Sequence, residues 1–145
     1  MTTTVNQLLN NKQHEIFSVS PDTLVIDAIR MMNDRKVGAL LVLQDNKLAG
    51  IIAQRDYKHK VILNNRSTNE TRVSEIMKTE IKTVHPSSTV DECLVIMSDN
   101  HIRHLPVVDK DTPMGILSVM DVVKNIISEK EFIIEQLEHY ITDTA

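Results

Sequence analysis

Apolar residues in the first half of the chain follow two spacings, and each predicts a different element. Val25, Ile29 and Met32 stand four and three residues apart, which is typical of one face of an amphipathic helix. The unbroken apolar run at 38–43 instead predicts a strand that is buried on both faces. A short strand over 16–19 precedes the helix, so this region begins in the order β-α-β.

Two further elements follow this apolar run. A polar turn at 44–47 leads into a second strand that begins at Gly50, and another helix begins near Asp56. Polar residues between two periodic segments indicate a turn between two elements. The first half of the chain is therefore expected to fold as one β-α-β-β-α unit.

The second half of the chain repeats this pattern. The tripeptide Val19-Ser20-Pro21 recurs as Val84-His85-Pro86, at an offset of 65 residues. The same offset pairs Val25 with Val90, Met32 with Met97, Asp34 with Asp99, Leu40 with Leu105, Val42 with Val107, Gly50 with Gly115, Ile51 with Ile116 and Asp56 with Asp121. Coincident glycine, proline and aspartate positions are not expected by chance, so the chain contains an internal repeat.

The repeat defines the expected architecture. We expect an α/β (α+β) fold of two β-α-β-β-α units that pack with pseudo-two-fold symmetry, because a unit of about 50 residues buries little surface alone. The expected segments are unit one at 13–64, a linker with a short helix at 65–78, unit two at 79–128 and a longer C-terminal helix at 129–145. Apolar residues at Val5, Leu8 and Leu9 indicate a short N-terminal helix.

Capping signals mark the start of the first helix in each unit. Thr89 and Glu92 form the pattern Thr-x-x-Glu of a capping box. Unit one has Leu24 at the position that corresponds to Thr89. We therefore expect Thr23 to cap that helix one residue earlier.

The C-terminal helix carries an apolar stripe that the two units do not account for. Ile133, Leu137, Tyr140 and Ile141 lie on one face of this helix. No obvious partner for them exists once the repeats are packed. The stripe predicts a homodimer.

Composition narrows the possible functions. Aromatic residues make up only 3% of the 145 residues, so the core must be aliphatic. The net charge is −4 and no basic tract occurs, which argues against nucleic-acid and membrane-surface partners. The chain shows no signal peptide and no apolar run of transmembrane length. With its single cysteine, Cys93, expected in the core, these features predict a cytoplasmic protein.

The order of the duplicated motifs resembles a pair of cystathionine-β-synthase (CBS) domains. The similarity covers roughly residues 13–128, and a further run at 135–141 is similar to stand-alone bacterial CBS-pair proteins. The motifs that carry it are Val19-Ser20-Pro21, Val84-His85-Pro86, the run Ile102 to Asp109, Gly50 to Asp56 and Gly115 to Asp121.

This resemblance implies a regulatory or sensor module that binds an adenine nucleotide in clefts between the two units. AMP or ATP is the first expected ligand and NAD(H) the next, and the module is expected to signal to an unknown partner protein. Paired modules of this kind often dimerise. The implied nucleotide-binding residues are Ser18, Val37, Arg55, Asp56, Lys60, Thr83, Ile102, Arg103, His104, Pro106, Ser118 and Asp121.

The two repeated aspartates are the central candidates. An ionised carboxylate only accepts hydrogen bonds, so Asp56 or Asp121 could accept hydrogen bonds from both hydroxyl groups of a ribose. The alternative is that each aspartate caps the helix that begins beside it. Ser118 adds a hydroxyl group near Asp121, whereas Ala53 at the equivalent position leaves the first half-site in doubt.

The other candidates also have two interpretations. Arg55, Arg103 and Lys60 could bind phosphate or lie on the solvated surface. Ser18 and Thr83 would meet the adenine edge. Val37, Ile102 and Pro106 would form apolar walls, or only pack in the core. His104 is expected in the cleft, or as a polar residue whose hydrogen bonds are satisfied, and not at a metal, because no convincing third ligand accompanies it and His101.

No catalytic motif is recognisable in the chain. Neither a phosphate-binding glycine loop nor a nucleophile elbow is present, and only three glycines occur. We therefore expect a protein that is not an enzyme. The main alternative is an interaction or dimerisation scaffold with vestigial clefts, which Ala53 and the low number of basic residues expected near the clefts favour. An enzyme that uses bound NAD(H) is a third, weaker hypothesis.

Overall fold

Two small sheets, each with its own helices, form the body of the protein. A computed structural model describes residues 3–11 and 16–144. Its strands are β1 (Ser18–Val19), β2 (Ala39–Gln44), β3 (Lys47–Ala53), β4 (His104–Asp109) and β5 (Thr112–Ser118). Its helices are α1 (Val5–Asn11), α2 (Val25–Arg35), α3 (Gln54–Tyr57), α4 (Val73–Ile76), α5 (Val90–Asn100) and α6 (Val119–Thr144), and a π-helical turn at Lys58–Ile62 extends α3.

Unit one has the predicted β-α-β-β-α order. The short β1 pairs in parallel with β2, and β3 returns antiparallel to β2. The two residues between β2 and β3, Asp45 and Asn46, both have positive φ, of 53° and 63°. This conformation matches the right-handed twist of the two strands that the turn joins.

Unit two repeats these features in its backbone. β4 and β5 form an antiparallel pair, with the irregularity in register at the position equivalent to that of β2 and β3. Lys110 and Asp111 have positive φ, of 49° and 66°, at the turn. The expected first strand is reduced to one parallel bridge, between Val84 and Val107. The mixed α/β fold with two related units is confirmed.

The two predicted helix caps have different outcomes. Thr89 caps α5 as expected, because its Oγ1 accepts the Glu92 N–H at 3.1 Å and the Glu92 carboxylate bonds back to Thr89. The prediction that Thr23 caps α2 is wrong. Leu24 occupies the N-cap position without a side-chain bond, and the Thr23 hydroxyl instead accepts the Ser20 N–H at 3.1 Å in the preceding turn.

The N-terminal helix α1 packs on unit two, although it precedes unit one in the chain. The Val90 N–H donates to the Thr3 carbonyl at 2.9 Å, and the Val5 N–H donates to the Ser88 carbonyl at 2.8 Å. The side chain of Val5 is fully buried. Its core neighbours are Leu8, Leu9, Val84, Val90, Cys93, Met97, Leu105, Val107, Leu117 and Val122.

The segment at 71–77 makes the same contacts with unit one. The Val25 N–H donates to the Thr71 carbonyl at 2.9 Å, and the Val73 N–H donates to the Thr23 carbonyl at 2.8 Å. The short helix expected here is present as α4. The segment is also part of unit one's core, with Val19, Val25, Ala28, Met32, Leu40, Val42, Ile52, Val61, Val73 and Ile76.

The exchanged segments also explain two of the repeated glycines. A Cβ at Gly50 would lie 2.7 Å from the Met77 sulfur and 2.8 Å from the Lys78 carbonyl oxygen. At Gly115, where φ is +158°, the nearest atom is a methyl group of Leu9 at 3.2 Å. The absence of a side chain at these glycines therefore leaves room for the segment that packs on each unit. At Gly50 that segment contains Met77 and Lys78, and at Gly115 it contains Leu9.

The last helix of unit two and the expected C-terminal helix are one continuous helix. α6 runs for 26 residues through the expected boundary between 128 and 129. No glycine or proline occurs from 119 to 144 to end it. Its first part packs on unit two through Val122, whereas every residue from 131 to 142 is exposed.

The packing of α1 and α4 predicts a matched pair of stability effects. Val5→Ala and Val73→Ala each remove two buried methyl groups from equivalent positions, so each should lower the free energy of unfolding by about 2 kcal/mol. Urea unfolding followed by circular dichroism measures this. Asn6→Ala, at an exposed position of α1, is the control and should change stability by less than about 0.5 kcal/mol. Wild-type stability in Val5→Ala would contradict the docking of α1.

Candidate functional site

A cleft of about 1130 Å³ lies between the two units. Unit one supplies the end of β3 and α3, unit two supplies the end of α5 and the start of β4, and the chain after α4 completes it. Its lining residues are Gly38, Ile51, Ala53, Gln54, Arg55, Asp56, Lys58, His59, Lys78, Glu80, Ile81, Lys82, Asn100, His101, Ile102, Arg103 and His104.

Five of the residues proposed from the sequence meet in this cleft. They are Arg55, Asp56, Ile102, Arg103 and His104. The chain separates the first two from the last three by more than 40 residues. The packing of unit one on unit two is what brings them together.

Asp56 is the most constrained of these residues. Its side chain is only 3% exposed, and its Oδ2 accepts the Ala53 N–H at 2.9 Å. Asp56 therefore does cap a helix, but it does so from the third residue of α3 and not from the N-cap position. A carboxylate has room for several hydrogen bonds, so the capping bond does not use all of its acceptor capacity.

Lys60 does not fit the phosphate-binding role expected for it. Its ammonium group donates to the Ile76 carbonyl at 2.9 Å and lies 3.8 Å from Asp56 Oδ1. These contacts tie α4 to the π-helical turn inside unit one, and Lys60 does not line the cleft. We therefore remove Lys60 from the candidate set.

The cleft is strongly cationic, in contrast to the chain as a whole. Among the described residues, its lining includes five lysines or arginines and two carboxylates. The cations are Arg55, Lys58, Lys78, Lys82 and Arg103, the carboxylates are Asp56 and Glu80, and His59, His101 and His104 add three imidazoles. The expectation of few basic residues near the clefts is therefore wrong, because the chain after α4 brings lysines that the motifs do not include.

His101 and His104, the pair considered as possible metal ligands, both line the cleft. Across residues 3–11 and 16–144, no group of three or more histidine, cysteine or carboxylate side chains could hold a metal ion. His101 ends α5 in the left-handed conformation, with φ of 53°. A Cβ placed on Gly38 would lie 3.3 Å from His104 Nε2, so this imidazole packs against the backbone of unit one.

In unit two, Ser118 and Asp121 form a corner where β5 meets α6. It is equivalent to the corner of Ala53 and Asp56 in unit one. The Ser118 N–H donates to Asp121 Oδ2 at 2.8 Å, and the Asp121 N–H donates to Ser118 Oγ at 3.2 Å. The Val119 N–H bonds the Arg103 carbonyl at 2.8 Å, as the Gln54 N–H bonds the Gly38 carbonyl at 3.1 Å. The corner has the same backbone geometry as in unit one, with a hydroxyl group that Ala53 lacks.

The remaining candidates lie outside the cationic cleft. Ser18 belongs to β1, Thr83 is exposed before the single bridge, and Val37 packs against the core of unit one. Pro106 is buried within β4, where its carbonyl accepts the Val84 N–H at 3.0 Å. For Val37, the structure shows the core contacts that were the alternative interpretation. Ile102 also packs against the core of unit two, in addition to lining the cleft.

Comparison with known proteins identifies the family. The CBS domain profile matches residues 9–62 and 73–128. The chain belongs to the CBS domain family.

Two relatives of this CBS pair extend over most of its length. It is 35% identical to the mitochondrial CBS domain-containing protein CBSX3 of Arabidopsis thaliana, over 97% of this chain and 72% of the relative. A Burkholderia ambifaria protein with CBS domains has 42% identity and a TM-score of 0.84, covering 87% of this chain and 95% of that chain.

A second solved structure is similar to this chain in fold. The CBS domain pair of MJ0100, in complex with 5′-methylthioadenosine and S-adenosyl-L-methionine, has 23% identity to this chain and a TM-score of 0.80, covering 89% of this chain and 99% of that chain.

Within the described part of the chain, no helix has the length and apolar character needed to span a membrane.

Proposed function

We propose that this CBS pair is a regulatory module that binds an adenine nucleotide between its two units and does not turn it over. AMP or ATP is the first candidate and NAD(H) the second. The observation that carries the proposal is the cationic cleft, in which a nearly buried carboxylate lies among five exposed lysine and arginine side chains. The adenosine compounds bound by the MJ0100 domain pair support the same class of ligand for this fold.

Each part of a nucleotide has a matching group in the cleft. The Asp56 carboxylate would accept the ribose hydroxyl groups. The guanidinium groups of Arg55 and Arg103 would bind the phosphate through charge-assisted bonds. Ile102 and the backbone beside Gly38 would contact the adenine ring. In unit two, Asp121 and Ser118 would serve a second site.

Binding would act through the relative position of the two units. A ligand that contacts both walls of the cleft favours the arrangement in which both contacts are made. This change in the packing of the two units would alter the activity of an unknown partner protein. We also propose a homodimer and a cytoplasmic location, although the Arabidopsis relative is named as mitochondrial.

The scaffold hypothesis predicts a different outcome for the purified protein. With two tyrosines and no tryptophan, the chain absorbs little at 280 nm, so co-purified nucleotide would dominate the ultraviolet spectrum. Mass spectrometry of released ligand would then identify it. A vestigial cleft would give no bound ligand and no heat on titration with AMP, ATP or NAD(H). The positive charge of the cleft favours the binding module over the scaffold.

The two aspartates give the first binding prediction. A hydrogen bond to a charged group contributes about 1.5–3 kcal/mol, so Asp56→Ala and Asp121→Ala should each weaken binding at their own site roughly tenfold to a hundredfold. Asp121→Ala should cost more, because Ser118 completes that corner. Isothermal calorimetry measures both affinities, and melting curves control for the lost capping bonds. Equal affinity in the wild type and the double variant would refute the ribose role.

The arginines predict selectivity for phosphate. AMP should bind at least about tenfold more tightly than adenosine, and the preference should shrink with added salt, because exposed charges are screened over about 10 Å at 0.1 M ionic strength. Arg103→Ala and Arg55→Ala should each weaken AMP binding and leave adenosine binding unchanged. Arg30→Ala is the matched control, because Arg30 is 71% exposed and pairs with Asp27 outside the cleft. Equal binding of AMP and adenosine would mean that the module reads only the nucleoside.

A further inference from the structure

The ammonium group of Lys60 lies between the proposed ribose acceptor of unit one and the end of α4. It donates to the Ile76 carbonyl at 2.9 Å and lies 3.8 Å from Asp56 Oδ1. Ile76 is the last residue of α4, so Lys60 connects the end of that helix with the Asp56 carboxylate. Asp56 lines the cleft, whereas Lys60 itself does not.

Asp56 has a partner for each of its carboxylate oxygens. Oδ2 accepts the Ala53 N–H at 2.9 Å, and Oδ1 pairs with the Lys60 ammonium. Because the side chain is only 3% exposed, water can do little to stabilise its charge, and these two partners take over that role. A carboxylate that is oriented before the ligand arrives does not have to be ordered when the ligand binds.

The carbonyl to which Lys60 donates is held in place by its surroundings. Ile76 is 1% exposed and belongs to the core of unit one. Two residues further along the chain, Lys78 exchanges main-chain hydrogen bonds of 2.9 and 3.0 Å with Ile51 of β3. The Lys60 side chain is 43% exposed, so the bond to this carbonyl is what keeps its ammonium group beside Asp56. Hydrogen bonds from a charged donor are stronger than those between neutral groups.

Unit two shows that the corner itself does not require a lysine at this position. Asn125 stands 65 residues after Lys60, and its Oδ1 is buried without a hydrogen-bond partner in the described part of the chain. The Ser118 N–H nevertheless bonds Asp121 at 2.8 Å, as in the corner of unit one. Lys60 also stands in the π-helical turn, whereas residues 123–127 continue α6, and π-helical turns occur frequently at functional sites.

We propose that Lys60 is a positioning residue of the nucleotide site in unit one, where it holds the Asp56 carboxylate ready for the ribose hydroxyl groups. This inference rests on the proposed function, because it takes Asp56 as the ribose acceptor. Lys60 acts through Asp56 and makes no contact with the phosphate. Its loss should therefore weaken the binding of adenosine and AMP to the same extent, unlike the loss of Arg55 or Arg103.

Calorimetry on the full chain with Asp121→Ala isolates the site in unit one. In this background, Lys60→Met should weaken adenosine and AMP binding equally, by roughly three- to tenfold, because the released carboxylate must be ordered again on binding. Lys60→Arg should recover most of the loss, since a guanidinium group also donates to carbonyl and carboxylate oxygens. Lys47→Met, at an exposed position outside the cleft, is the matched control and should leave both affinities unchanged.

A double-mutant cycle separates this role from a purely structural one. Once Asp56→Ala has removed the carboxylate, Lys60→Met should have no further effect on adenosine affinity, measured at a temperature at which every variant is folded. A further loss in that background, a loss confined to AMP, or no loss in Lys60→Met would overturn the inference and leave the ribose role of Asp56 standing. A wild type that binds neither adenosine nor AMP would overturn the proposed function, and this inference with it.

Discussion

The exchange of short segments between the two units is the interaction on which the rest of the structure depends. Neither unit completes its core with the residues of its own repeat. Val5 fills unit two and Val73 fills unit one, each held by main-chain bonds of 2.8 Å to the turn before a helix. Because each unit is small, these buried residues are a large share of its hydrophobic stabilisation.

The cationic cleft is a consequence of that exchange. After α4 the chain leaves the core of unit one through a bridge between Ile51 and Lys78. It then lines the cleft, where Lys78 and Lys82 join the arginines of the two units. A chain with a net charge of −4 thereby concentrates positive charge at one place. A local field of this kind attracts anions even when the whole protein is acidic.

The continuous helix α6 joins two features that the sequence suggested as separate. Its first turn holds the reciprocal bonds of Ser118 and Asp121. Its other half projects from the body with its apolar side chains uncovered. One rigid element therefore connects a candidate ligand corner with a candidate association surface.

The sequence alone determined the elements and their duplication, because apolar spacing and turn residues are local properties that repeat at a constant offset. It also led to the expectation that Asp56 and Arg103 lie in the cleft, as the structure has them, because both lie within the motifs. Tertiary structure decided what depends on contacts between distant segments. It placed the segment before unit one in the core of unit two, and the segment before unit two in the core of unit one. The sequence does contain a trace of this equivalence, because Thr-x-Val-x-x-Leu-Leu at 3–9 is similar to Thr-x-Val-x-x-Ile-Met at 71–77, at an offset of 68 residues. In the folded chain, Lys60 donates to the Ile76 carbonyl, and Lys78 and Lys82, which lie outside the motifs, line the cleft. Burial and charge at a site are set by the packing of several segments, and no single stretch of sequence contains that information.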